Sequence, residues 1–177
     1  MKRALATILA IFALTSGGCS TVNEPQQQPD LESELAAKGS FLDEAARLDP
    51  VVEEMADAVS AVVPGLTWRR VREGMTMPCE AVPGDPTSAT AYKLPNVAFD
   101  GIIPDELWVT ALERVQAIAA GVGATQLVVR VDEPGHHDVK LLAEDKTEFG
   151  LGTREAAALF SQTGCFLNPS DEQTPGS

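Results

Sequence analysis

The sequence has little positive charge, few aromatic side chains and few cysteines. Its 13 Lys and Arg residues face 26 Asp and Glu residues, which gives a formal net charge of −13, and aromatic residues make up 5% of the chain. Nucleic-acid binding relies on Lys and Arg to neutralise phosphates, so this composition argues against nucleic acid as a partner. The length of 177 residues fits one domain, and a hydrophobic content of 44% is enough for a buried core.

The sequence also lacks the short motifs that indicate common catalytic chemistry. It contains no G-x-S-x-G, H-E-x-x-H, C-x-x-C or EF-hand pattern. Gly121 and Gly123 follow a predicted helix instead of preceding one, so they do not form a phosphate-binding loop. Nothing marks a base partner for the candidate nucleophiles Ser40, Ser60, Ser88 and Ser161. We therefore expect a protein that is not an enzyme and that uses no cofactor.

The N-terminus has the pattern of a secretory signal peptide, predicted over residues 1–18. Lys2 and Arg3 precede an uncharged, mostly apolar run from Ala4 to Leu14, and small residues follow directly before Cys19. As a helix, this run would span about 16 Å, roughly half of a bilayer's hydrocarbon core, so a permanent transmembrane helix is not expected.

Cys19 resembles the cysteine of the bacterial lipobox, where signal peptidase II cleaves before a cysteine that has received a diacylglyceryl group. The usual motif has Leu three positions before the cysteine, where this chain has Ser16. We expect Cys19 to be lipidated, which would place the protein on the extracytoplasmic face of the cell membrane. The alternative is a secreted protein with an unmodified cysteine. Residues 20–30, rich in Gln and Pro, are predicted to form a flexible tether.

Loss of the leader would make the exported chain more acidic. Lys2 and Arg3 would leave with residues 1–18, which changes the net charge from −13 to −15. Two cysteines other than Cys19, Cys79 and Cys165, would then face an oxidising compartment, where disulfides persist. We predict that they are bonded to each other, which would stabilise the fold by at most about 4 kcal/mol. The alternative is two separate buried thiols.

Helical spacing appears in the N-terminal third and in the middle of the chain. A first helical pattern starts at Leu31, is interrupted at Gly39 and Ser40, and resumes at Phe41. A new helix is predicted at Asp49-Pro50, because Asp can cap a helix and Pro suits its first position. The clearest helix covers 104–120, with one apolar stripe formed by Trp108, Ala111, Leu112, Val115, Ile118 and Ala119.

Strand patterns occupy the remaining regions. An irregular strand is predicted over 66–72 and onward to Cys79, then a loop over 80–90, then a strand over 91–99 in which Pro95 marks a bulge or an edge position. A hairpin joins 126–132 to 139–143, with Leu127, Val129 and Val131 predicted to face inward. A third strand of this meander follows around Phe149 and Leu151.

The end of the chain is predicted to contain a short helix and a polar tail. Thr153 can cap a helix from Ala156 to Phe160, and residues 168–177 have the composition of a disordered tail. The predicted fold is therefore α+β: an antiparallel sheet of about five strands with helices packed on it, forming one domain over 31–167.

Several of these residues together resemble the LppA/LppV-type lipoproteins of mycobacteria and their relatives, over about 49–168. The similarity implies a lipidated cell-envelope protein with a compact α+β domain. It implies no known activity, so no catalytic residue is transferred. The residues that carry it are Ile103-Pro104-Asp105, Trp108, Gly123-Ala124-Thr125, the run from Asp132 to Val139, Gly152-Thr153 and Thr163-Gly164-Cys165.

Three groups of residues are candidate sites. His136 and His137 lie beside Asp132, Glu133 and Asp138 and could bind a divalent metal, although adjacent strand residues point to opposite faces and the alternative is an ordinary solvated turn. Arg69, Arg70 and Arg72 could clamp an anion, or could instead pair with neighbouring Asp and Glu. Trp108, Val115 and Ile118 could line an apolar pocket, or could be core.

These observations favour a lipid-anchored protein of the cell envelope that acts as a non-catalytic binding or accessory module. The membrane would be contacted through the lipid on Cys19, and the further partner would be an envelope protein or a small ligand. The loop over 80–90 is the surface that we expect to bind a partner, because loops carry binding more often than packed faces. The alternative function is a carrier of a small apolar ligand or lipid.

Overall fold

Residues 38–79 and 89–167 are described by a computed structural model of the chain. The predicted leader, tether, first helical segment and tail lie outside these residues, as does the predicted loop except for Ala89 and Thr90, which belong to a strand. The described part contains helices α1 (Phe41–Val62) and α2 (Asp105–Ala120). Its strands are β1 (Trp68–Val71), β2 (Met75–Cys79), β3 (Ala89–Lys93), β4 (Asn96–Phe99), β5 (Gln126–Glu133), β6 (His136–Leu142), β7 (Glu148–Thr153), β8 (Ala157–Gln162) and β9 (Phe166–Leu167).

The strands form one antiparallel sheet, and both helices pack on the same face of it. Six strands follow the order β1-β4-β8-β7-β6-β5, while β3 connects β2 and β9 to β8. The predicted α+β layer is confirmed, with nine strands in the described residues instead of about five. Side chains alternate along a strand, so β6, β7 and β8 each direct one set of residues into the core. This set includes Val139, Leu141, Phe149, Leu151, Ala157 and Leu159.

Helix α1 runs without a break past Pro50, so the predicted restart at Asp49-Pro50 is wrong. Ser40 caps the helix instead, because its Oγ accepts a hydrogen bond of 3.1 Å from the Leu42 N–H. Pro50 has no N–H to donate, which weakens a helix interior. The residues around it nevertheless keep one fully buried stripe, and that burial outweighs the missing bond. The stripe consists of Leu48, Val52, Met55, Ala56 and Val59.

Residues 157–162 form strand β8, so the predicted final helix is wrong. Ala157 and Leu159 are buried while Ala158 between them is exposed, which is the period of a strand. All six residues of β8 pair with β7, and Ala158 and Leu159 also pair with β4 on the other side. Thr153 does not cap a helix; its hydroxyl accepts a hydrogen bond of 3.0 Å from the Ile103 N–H.

Two further strand predictions need correction. The single bulged strand over 91–99 is in fact β3 and β4, separated at Leu94 and Pro95, because a proline cannot donate a hydrogen bond to a neighbouring strand. In β5, Leu127 and Val129 are not buried as predicted but 38% and 55% exposed, because β5 is the outermost strand of the sheet. A register shift between Val129 and Val131 also breaks the alternation.

The predicted disulfide between Cys79 and Cys165 is confirmed, with a Cα–Cα distance of 5.7 Å. It joins the end of β2 to the residue before β9, and it packs with Ala89 and Leu167 in a small apolar cluster apart from the main core. The bond therefore fastens the β2–β3 part of the sheet to the C-terminal end of the domain.

None of the helices in the described residues is long and apolar enough to cross a membrane.

Candidate functional site

A buried histidine lies where the first turn of α2 meets the turn between β5 and β6. His137 is 7% exposed, and its ring stacks on Trp108 with centroids 4.7 Å apart and planes 11° from parallel. Its Nδ1 lies 2.8 Å from Asp132 Oδ1, and its Nε2 lies 3.1 Å from Asp105 Oδ1. We call Asp105, Trp108, Asp132 and His137 the histidine cluster.

The histidine cluster connects three elements of the fold. Asp105 begins α2, Asp132 is the second-last residue of β5, and His137 lies on the helix-facing side of β6. A ring protonated on both nitrogens can donate to both carboxylates at once. Asp105 Oδ1 also accepts a hydrogen bond of 2.8 Å from the Gly135 N–H. The cluster therefore fastens the β5–β6 turn to the start of α2.

The histidine cluster changes the pKa of the Asp105 carboxyl group. The hydrogen bond from the Gly135 N–H, followed by the hydrogen bond with His137, lowers the pKa of Asp105 from its ordinary value of 3.8. A carboxyl group whose pKa is lowered by folding stabilises the folded state while it is ionised. This stabilisation is fully present above the unfolded pKa and is lost as the pH falls through the folded pKa.

We expect Asp105→Asn to reduce the loss of stability in acid. The free energy of unfolding of the wild type should fall as the pH drops below about 4, and part of that slope should disappear in the variant. Urea unfolding measured at a series of pH values tests this. Glu106→Gln, an exposed neighbour on the same helical turn, is the matched control and should keep the wild-type slope. Identical slopes for Asp105→Asn and the wild type would contradict the expectation.

The geometry of the histidine cluster leaves no ring nitrogen of His137 for a metal ion. His136 points to the opposite face of β6, as expected for adjacent strand residues. Within residues 38–79 and 89–167, no group of three or more His, Cys, Asp or Glu side chains is arranged to hold a metal ion. The structure thus separates the two histidines that the sequence places side by side.

The three arginines of the sequence motif do not converge on one point. Arg70 lies between β1 and α1, where its guanidinium is 2.6 Å from Asp49 Oδ1 and 3.7 Å from Glu53 Oε1 and donates to the Pro95 carbonyl oxygen. Arg69, the residue before it in β1, occupies the opposite face and is exposed. Arg72 lies after the strand with a φ of 63°. Arg70 is therefore engaged in joining α1 to the sheet.

The apolar stripe of α2 lies in the core. Trp108, Ala111 and Val115 are buried, and Ile118 is partly buried against them. Trp108 lines neither of two surface clefts that described residues form elsewhere. One, of about 400 Å³, lies between α1 and α2 and includes Ile118. The other, of about 410 Å³, lies beside the disulfide and is lined by Cys79, Gln126, Leu142, Ala143, Glu144, Lys146, Glu148, Gln162 and Cys165.

Sequence patterns missed one surface, the outer side of β5. Leu127 and Val129 are exposed there, and so is Val109 on α2, at 62%. The alternation of 126–132 predicts a strand with an apolar face but carries no information on whether that strand is central or outermost. The order of strands in the sheet decides this.

Comparison with known proteins assigns the chain to a class. The family model described as "LppA: Lipoprotein confined to pathogenic Mycobacterium" matches residues 18–169, and the chain belongs to this family. The family resemblance predicted from the sequence is thereby confirmed. LppB, from two strains of Mycobacterium tuberculosis, is 27% identical to the chain over 178 residues, which cover 91% of this chain and 79% of LppB.

Solved structures share the fold. The crystal structure of LppA from Mycobacterium tuberculosis has a TM-score of 0.63 and 23% sequence identity, and the match covers 82% of this chain and 91% of LppA. The structure of a DUF4853 family protein from Actinomyces odontolyticus has a TM-score of 0.52 and 15% identity, covering 75% of this chain and 73% of that one. At these identities the likeness concerns the fold alone.

Proposed function

We propose that this protein is anchored in the cell membrane by a lipid on Cys19, that its domain lies on the extracytoplasmic face, and that the domain is a non-catalytic binding or accessory module. The observation that carries the proposal is the family match. The family is one of lipoproteins, and the match begins at residue 18, directly before Cys19. Residues 1–18 then serve as the signal peptide.

The side chains that could perform catalysis support a non-catalytic role. Both ring nitrogens of His137 face carboxylates, so neither is free to act as a base. Ser60 and Ser161 have buried hydroxyl groups with no hydrogen-bond partner among the described residues, whereas a serine nucleophile needs a base within hydrogen-bond reach. The other possible function, a carrier of a small apolar ligand, is not favoured, because Trp108 and Val115 pack in the core.

Replacing Cys19 by serine tests the anchor. We expect the wild type to incorporate an alkyne-labelled palmitate in growing cells and to sediment with the membranes. Cys19→Ser should lose the label and leave the membrane fraction, because a serine offers no thiol for the diacylglyceryl group. Ser20→Ala, the adjacent substitution, should behave as the wild type. Equal labelling of Cys19→Ser and the wild type would refute the anchor.

Cross-linking of the tagged, lipidated protein on intact cells tests the binding role. We expect the tagged protein to capture a defined envelope protein, and we expect an excess of untagged wild-type protein to reduce that capture. The absence of any captured protein would count against a protein-binding module and in favour of ligand transport.

A further inference from the structure

Strand β5 is an unusual edge for a sheet. It has eight residues and contains neither proline nor lysine, and within residues 38–79 and 89–167 it pairs only with β6. Natural proteins protect sheet edges by making them short, charged or interrupted by proline. The other edges of this sheet follow that rule, because β1 has four residues including Arg69 and Arg70, and β2 contains Pro78. The charged residues of β5, Arg130, Asp132 and Glu133, all lie in its second half, after the register shift begins, so its first half, Gln126–Val129, is an uncharged edge.

Exposed apolar side chains accompany this edge. Leu127 and Val129 pair with Leu141 and Val139, whose side chains are buried under the helices, so all four lie on the helix-facing side of the sheet. Val109 lies one helical turn after Asp105, which contacts the β5–β6 turn, and therefore on the same side of α2. We call Val109, Leu127, Val129 and the unpaired outer side of β5 the β5 edge surface.

The border of the β5 edge surface is acidic. Glu106 and Glu113 lie within one helical turn of Val109 and are exposed, and Asp132 and Glu133 end β5 and are also exposed. Arg130, the positive charge within β5, lies 3.3 Å from Asp138 and is thus already paired. A second copy of the chain would bring the same acidic border and a net charge of −13, which disfavours self-association. The charges complement a basic partner.

We propose that the β5 edge surface binds an extended, positively charged segment of a partner protein as an added strand. The segment would carry aliphatic side chains over Leu127 and Val129 and Lys or Arg near the acidic border. Backbone hydrogen bonds would provide affinity, and the two groups of side chains would provide specificity. Regular pairing would cover Gln126–Val129, before the register shift. This inference rests on the proposed binding function and specifies its partner.

A designed peptide tests the inference directly. The probe is a fluorescent peptide of alternating valine and threonine with paired lysines at both ends, titrated with the full-length protein in neutral detergent. We expect binding that weakens with added salt, and a loss of about tenfold in affinity in Val129→Lys. Leu42→Lys is the matched control, because Leu42 is 56% exposed, nearly the same as Val129 at 55%, and lies on α1, outside the β5 edge surface. It should bind as the wild type does.

Four results would overturn the inference. They are no binding of the peptide to the wild type, equal binding by Val129→Lys, equal binding of a peptide with glutamates in place of the lysines, and a wild-type dimer that Val129→Lys dissociates. Its failure is separable from that of the proposed function. If cross-linking on cells captures the same protein with Val129→Lys as with the wild type, the binding function stands and the β5 inference falls. If the wild type captures nothing, the binding function itself fails.

Discussion

Replacing Cys79 and Cys165 together by alanine is expected to lower the free energy of unfolding by about 4 kcal/mol. The two cysteines are 86 residues apart, so their bond removes many conformations from the unfolded chain. The same bond holds the β2–β3 part of the sheet against β9, outside the main core. Urea unfolding of the variant and of the oxidised wild type should show this difference in the free energy of unfolding. The thermal midpoint, Tm, of the variant should be lower by roughly 10 °C.

The reduced wild type is the natural control for this prediction. Under a strong reductant, its unfolding transition should move to that of the double variant, while the double variant itself should not respond. Cys19→Ala, which removes the cysteine outside the bond, should retain the stability of the oxidised wild type. A double variant as stable as the oxidised wild type would show that the bond contributes nothing to stability.

The second large effect is expected at Leu159. The Leu159 side chain is fully buried. In the sheet, Leu159 lies opposite Val97 of β4 on one side and opposite Leu151 of β7 on the other. Leu159→Ala should therefore lower the free energy of unfolding by about 2–5 kcal/mol, because it removes apolar contacts and leaves a cavity. Ala158→Ser, on the exposed face of the same strand, should change it by less than about 0.5 kcal/mol. Urea unfolding of both variants decides whether residues 157–162 are a central strand in solution.

Strand β8 shows why local patterns are insufficient here. Alanine has the highest intrinsic helix propensity, and Ala156, Ala157 and Ala158 in succession favour a helix after Thr153. The energy gained by pairing with β4 and β7 at once exceeds that preference. Since β4 lies about sixty residues earlier in the chain, no short window of sequence contains this information.

At Pro50 a local signal predicted a helix boundary where the helix is continuous. A proline after an aspartate is typical of a helix start, so the sequence predicts two helices where one exists. The apolar spacing of Leu48, Val52 and Met55 continues across the proline without a change of phase, and this was the more informative signal. Long, strongly periodic patterns predicted α2 and the β5–β6 hairpin correctly for the same reason.

The sequence allows one contact of the histidine cluster to be predicted, the one between Asp132 and His137, but not the contacts of Asp105 and Trp108 with His137. Asp132 and His137 lie on opposite sides of a predicted hairpin turn, and the register of that hairpin makes them neighbours. Asp105 and Trp108 come from a helix that precedes the hairpin in the chain, and its position over the sheet follows only from the packed core. The proposed lipidation at Cys19, by contrast, is inferred from the order of residues in the leader alone and requires no knowledge of the fold.

The bond between Cys79 and Cys165 also determines what happens if the backbone is cut. A protease that cleaves one peptide bond anywhere between these two residues produces two fragments that remain covalently joined. If Cys19 carries a lipid as proposed, the fragment that contains Cys19 would hold the other fragment at the membrane. Such a nicked molecule would migrate as one species in non-reducing electrophoresis and as two after reduction. With the proposed anchor in place, such a cut would not release the C-terminal fragment from the envelope.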